Sequence, residues 1–182
     1  MAACHALLAC AATDPWPHER LDPQSAAHAT LLAEPWVYSR EVPLLAANAR
    51  DYLNVGVVAI NRAGQRTYWL GVVAWSTIDR VPSKPGGGQP GRVRLGRPDG
   101  SLDLSPAAGG REAVGLERPA FTRPASRFTE SWYVLSVDQL RWLSEMPPSV
   151  VELPEAEPQA LVFEKWRVRR KPMAAFITAI GL

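Results

Sequence analysis

A chain of 182 residues with 47% hydrophobic and 21% charged residues is long enough to bury one core and short for two. Its 20 Lys and Arg against 18 Asp and Glu leave a formal charge of +2, so no global field steers it toward a polyanion and any basic site is local. Cys4, Cys10, His5, His18 and His28 all precede residue 29, which excludes from the remainder a Ser-His-Asp or Cys-His nucleophile, a His general base, a Cys/His zinc site and a disulfide.

Residues 1–30 are rich in Ala and Pro, carry no Lys or Arg before Arg20, and hold neither a period of 2 nor one of 3.6. They read as leader and flexible tether, with one β-rich domain over 31–182. Within them Leu7-Leu8-Ala9-Cys10 resembles the lipobox of bacterial lipoproteins. The resemblance implies cleavage before Cys10 and acylation of its thiol. It also implies an outer-membrane destination, because Ala11 lacks the acidic side chain associated with inner-membrane retention in enterobacterial lipoproteins. The apolar run is short for a signal peptide and no basic residue precedes it, which fits a Met1 lying inside a longer leader. The other reading is an Ala- and Leu-rich end of a cytoplasmic protein.

Trp36-Val37-Tyr38 is aromatic and β-branched, as a first strand should be. Residues 51–60 and 66–78 form the strongest pattern, two strands joined by a Gly-containing turn over 61–65. In the second arm both alternating sets are apolar, Tyr68, Leu70, Val72 and Ala74 on one side and Trp69, Val73 and Trp75 on the other. Such a strand is covered on both faces. Residues 80–127 are dense in Pro and Gly and read as an inserted flap in which 92–95 pairs with 101–104. Residues 128–137 form the next strand. Asp138 then caps a short helix carrying Leu140, Leu143 and Met146, which Pro147-Pro148 ends. Residues 150–153 resume as strand and 160–168 alternate again. Residues 174–180 fit a last strand or a short buried helix, well below the roughly 20 residues that span a bilayer.

These elements predict an all-β fold, an antiparallel β-sandwich with one short helix and a long Pro/Gly-rich insertion at about 80–127; a small closed β-barrel is the alternative. In 160–168 strand parity puts Val162, Trp166 and Val168 on one face and Lys165, Arg167 and Arg169 on the other, a possible anion-contact face whose alternative is a solvated, charge-protected edge. Trp166 lies across the strand from those cations, so the aromatic interleaving of a nucleic-acid surface is missing and no nucleic-acid partner is expected. Trp69, Trp75, Trp132 and Trp166 sit within strand patterns and are expected in the core, with a carbohydrate platform as the alternative. Gly87-Gly88-Gln89 matches a release-factor tripeptide, but loop flexibility is sufficient reason for its glycines. Glu130, Asp138, Asp51 and Asp79 are the candidate acids, and the three aspartates read more simply as caps of strand or helix ends.

The sequence therefore leads to the expectation of a lipid-anchored cell-envelope protein with a binding or assembly role, non-catalytic, without metal or cofactor. The membrane is reached through Cys10, from the periplasmic side of the outer membrane, and the partner is another envelope protein or an anionic envelope component. The alternatives are a cytoplasmic β-sandwich binding module and a carboxylate-dependent enzyme acting on an envelope polymer.

Overall fold

The computed structural model describes residues 16–78, 91–154 and 160–182. In chain order the strands and helices begin with β1 (His18–Asp22), β2 (Ala27–Leu31), β3 (Trp36–Glu41), β4 (Arg50–Arg62) and β5 (Gln65–Ser76). They continue with β6 (Val93–Arg97), β7 (Gly100–Leu104), α1 (Arg111–Val114), β8 (Phe128–Leu135) and α2 (Val137–Glu145). The chain ends with β9 (Val150–Leu153), β10 (Leu161–Arg167) and α3 (Lys171–Ile180).

The β4–β5 hairpin organises the fold. It pairs without interruption from Asp51↔Ser76 to Arg62↔Gln65. Ala63 and Gly64 turn the chain with φ of 48° and 86°, the handedness that matches strand twist, and the Gly64 N–H donates to Asn61 Oδ1 at 3.0 Å. With 13 residues, β4 is long enough for two neighbours to share its other edge. β3 takes the first half, Trp36↔Val55 to Glu41↔Arg50, and β2 the second, His28↔Asn61 to Leu31↔Val58. β8 pairs with the far edge of β5, and β10, β9, β6 and β7 follow β3 in that order.

All pairings are antiparallel, and the all-β prediction holds. The two-sheet sandwich is corrected: among the described residues every strand belongs to one sheet, curled into a half-barrel. The split edge of β4 is the reason, because it sends two branches off one strand and the longer branch curves back over its own inner face. Leu53, Val55, Leu70, Val72, Tyr133 and Phe163 line that face, and Leu140, Leu143, Met173 and Phe176 from α2 and α3 fill it.

The outer face of the central strands is covered too, as the doubly apolar β5 predicts. Ala27, Ala29 and Leu31 of β2 join Val58, Ile60, Trp69 and Trp132 in a second cluster, with Val114 and Leu116 from the 105–127 segment. This layer changes two expectations. Residues 18–31 are the first hairpin and not tether, because alanines without hydrophobic bulk still fill a close approach between strands. The 80–127 segment is only partly a flap: β6 and β7 pair as a hairpin and β6 joins β9 in the sheet. The 105–127 stretch is a strap over the outer face.

The strap is latched to the first hairpin at residues 117–119. Arg20 donates to the carbonyls of Arg118 and Pro119 at 2.7 and 3.0 Å. Asp22 accepts from the Glu117 N–H at 2.9 Å and from Ser25, and these donors hold its carboxyl below the usual range. In the middle, Phe121 sits where the cross-strand pair Gly56↔Gly71 has no side chains, stacked on Trp132 at 5.8 Å. A Cβ on Gly56 would lie 2.3 Å from the Phe121 ring. Gly56→Val should therefore lift Phe121 off the sheet and cost about 1 to 3 kcal/mol. Limited proteolysis checks this, with new cleavage expected between residues 117 and 127.

Two local readings also change. α2 starts at Val137, and its cap is Ser136 and not Asp138: Ser136 accepts from the Gln139 N–H while the Gln139 side chain accepts from the Ser136 N–H. The terminal apolar run is the helix α3, with Pro172 in its first turn and Gly181 closing it at φ 73°.

Candidate functional site

Cys10 and the Gly87-Gly88-Gln89 loop lie outside the described residues, as does Asp79. The remaining candidates fall in different places. Asp51 is fully buried in β4, where Arg40 Nε donates to its Oδ2 at 3.1 Å, so it is a structural ion-pair partner within the sheet. Asp138 is exposed in the first turn of α2. Glu130 is half-buried on the outer face of β8; burial pushes its carboxyl up, and Arg111 opposes the shift.

The segment carrying Lys165, Arg167 and Arg169 departs from simple alternation. Glu164 pairs with Ser39, Lys165 with Tyr38 and Arg167 with Val37, so β10 gains one residue relative to β3 at Trp166. Such a bulge re-aims side chains. Phe163 before it and Val168 after it pack against the core, whereas Glu164, Lys165, Trp166 and Arg167 are all exposed. Val162 and Trp166 do share a face, that of Ser39 and Tyr52, but this face is open to solvent and is not the core, and the bulge brings Arg167 to it. Trp166 is 56% exposed and joins the cations on one surface, and it is not a core residue. Among the described residues no carboxylate pairs with Lys165 or Arg167. Arg169 lies past the end of β10, with Nη1 3.5 Å from Glu34.

Trp166 is held in place by neighbours the sequence did not single out. The Tyr52 ring meets it edge-on at 6.2 Å, and Trp75 stacks on Tyr52 at 4.3 Å. The Trp75 indole N–H donates to Asn54 Oδ1 at 3.1 Å, and the Arg50 guanidinium lies 4.8 Å from the centre of the Trp166 ring. Trp75, expected in the core, is therefore a partly exposed link between the sheet and Trp166, while Trp69 and Trp132 are buried as expected. Beside Trp166 runs an open groove of about 470 Å³, lined by Ser39, Arg40, Glu41, Arg50, Val162, Glu164 and Lys165. Arg50 pairs with Glu41 across it. The available clue in the sequence was the run Glu164-Lys165-Trp166-Arg167 itself, in which an aromatic stands among charges, but the register shift that unites them depends on β3.

No protein-family model, curated protein or solved structure matches this chain.

Proposed function

We propose that the protein is a lipid-anchored envelope protein, acylated at Cys10 and facing the periplasm from the outer membrane, that works by binding an anionic envelope component. The observation that carries the binding role is the exposed Trp166, fixed by Tyr52 and Arg50 and flanked by Lys165 and Arg167. A large apolar side chain held outside a core that has room for other tryptophans favours contact with a partner. The Leu7-Leu8-Ala9-Cys10 motif supplies the tether, 12 residues before the Asp22 that ends the first strand.

Two experiments test the two halves. In cells expressing the gene with its complete leader, labelled palmitate should enter the wild-type chain and not Cys10→Ser; equal labelling of both removes the anchor. The purified chain should lose its envelope association steeply with added salt, since exposed charges are screened over roughly 10 Å at 0.1 M. Replacing Lys165, Arg167 and Arg169 by Gln should remove that association with little change in thermal stability. Arg169 should contribute least, because Glu34 already compensates it. Salt-insensitive association of the triple variant would leave these cations as a solvated edge.

A further inference from the structure

The geometry points to an acidic saccharide as the ligand of the Trp166 groove. The inference rests on the binding role proposed above and names the chemistry of its partner.

Three features of the groove select this class. The first is the mixture of polar groups around one aromatic ring. Glu41 and Glu164 supply acceptors, Arg40, Arg50 and Lys165 supply donors, and Ser39 supplies both. A polyhydroxylated ligand needs both kinds of partner at close spacing, whereas a phosphate-dense surface, whether lipid or nucleic acid, would be repelled by two carboxylates on the same rim. The second is the ring itself. The C–H face of a pyranose is a flat apolar surface that stacks on an indole, and Trp166 is exposed yet oriented by Tyr52 and Arg50, so little ordering remains for the ligand to impose.

The third feature is the charge left over once internal pairs are counted. Arg40 is matched by Asp51 and Arg50 by Glu41. Lys165 in the lining and Arg167, next to Trp166 in the chain and outside the lining, then stand against Glu164, a balance of two positive charges to one negative. A neutral sugar would leave that excess unused; one acid group per bound segment satisfies it. The bulge at Trp166 ties the three features together, because it brings Arg167 to the face on which Trp166 stands.

The test uses the full chain and three probes: a set of oligosaccharides bearing uronate or phosphate groups, the uncharged N-acetylglucosamine tetramer, and phosphatidylglycerol vesicles. Binding is followed by titration calorimetry and by the indole N–H signal of Trp166. At least one acidic oligosaccharide should bind more tightly than the neutral tetramer and move the Trp166 signal. Trp166→Ala should weaken that binding about tenfold or more, with Trp166→Phe retaining most of it. Lys165→Gln should narrow the preference for acidic over neutral sugar. Because Trp166 and Lys165 are exposed, unchanged melting temperatures confirm that the variants fold. Silence toward every acidic oligosaccharide, or binding that Trp166→Ala leaves intact, overturns the inference. Vesicle binding without saccharide binding also overturns it, and leaves the envelope-contact role standing. Trp166-dependent saccharide binding by a chain that is never acylated at Cys10 supports the site while removing the anchor.

Discussion

Replacing Trp132 by alanine is expected to cost about 3 to 5 kcal/mol and to leave little folded protein at physiological temperature. Trp132 is 1% exposed on the outer face of β8, where it fills the layer between sheet and strap. Its ring lies against Phe121 and so close to Gly71 that a Cβ there would be 2.9 Å from it. Truncation would open a cavity that the hydrogen-bonded β5–β8 pair underneath has no freedom to close, and would leave Phe121 without the surface on which it stacks. The comparison with the other tryptophans sharpens the expectation. Trp75→Ala removes a partly exposed ring and should cost about 1 to 2 kcal/mol, and Trp166→Ala should change stability little. Denaturant unfolding of the three variants checks the order. Equal losses in all three would mean that the outer layer does not contribute as a packed core.

Arg97→Ala is expected to cost about 2 to 3 kcal/mol, a large effect for a polar residue. The Arg97 side chain is 2% exposed and joins the β6–β7 hairpin to α2. Its guanidinium pairs with Asp99 through Nε at 2.9 Å and Nη2 at 2.7 Å, in the bidentate fork that fits a carboxylate. Nη1 donates to the Trp142 carbonyl at 2.6 Å, and the guanidinium lies 3.9 Å from the centre of the Trp142 ring. Glu145 approaches at 3.5 Å. The carbonyls at the end of α2 need donors, and a cation there also complements the helix dipole. Alanine would strand the Trp142 carbonyl and uncover the ring, whereas Asp99 and Glu145 are exposed and would return to water. Asp99→Asn should therefore cost less, because Glu145 and the carbonyls still hold the guanidinium. Thermal unfolding of both variants measures the difference, and a larger loss in Asp99→Asn would contradict the helix-end role.

Much of the fold is legible because its signals are local. Alternation over 51–60 and 66–78 together with a Gly-containing turn specifies a hairpin before any partner strand exists, and the same reasoning finds β8, β9 and the β6–β7 pair. The doubly apolar β5 predicts covering on both sides, which the half-barrel core and the outer layer provide. The clustering of His and Cys before residue 29 removes whole classes of chemistry from the rest of the chain by composition alone.

What only the tertiary structure decides depends on contacts between distant segments. β2 is recruited by a vacant half-edge of β4, so the small alanines at 27 and 29 become core although they carry little hydrophobic signal. The strap needs Gly56 and Gly71 to stand opposite each other, a register that neither glycine announces. The short run before Ile180 fits helix and strand equally by periodicity, and becomes a helix because its Met173, Phe176 and Ile180 face can plug the half-barrel. The candidate site is the clearest case. By parity Arg167 belongs opposite Trp166, and one extra residue in β10, measured against β3, brings it to the open face that Trp166 shares with Val162 and Glu164. A pairing register is a property of two strands, so the side chain's destination is settled only when residues 37–39 and 164–167 meet.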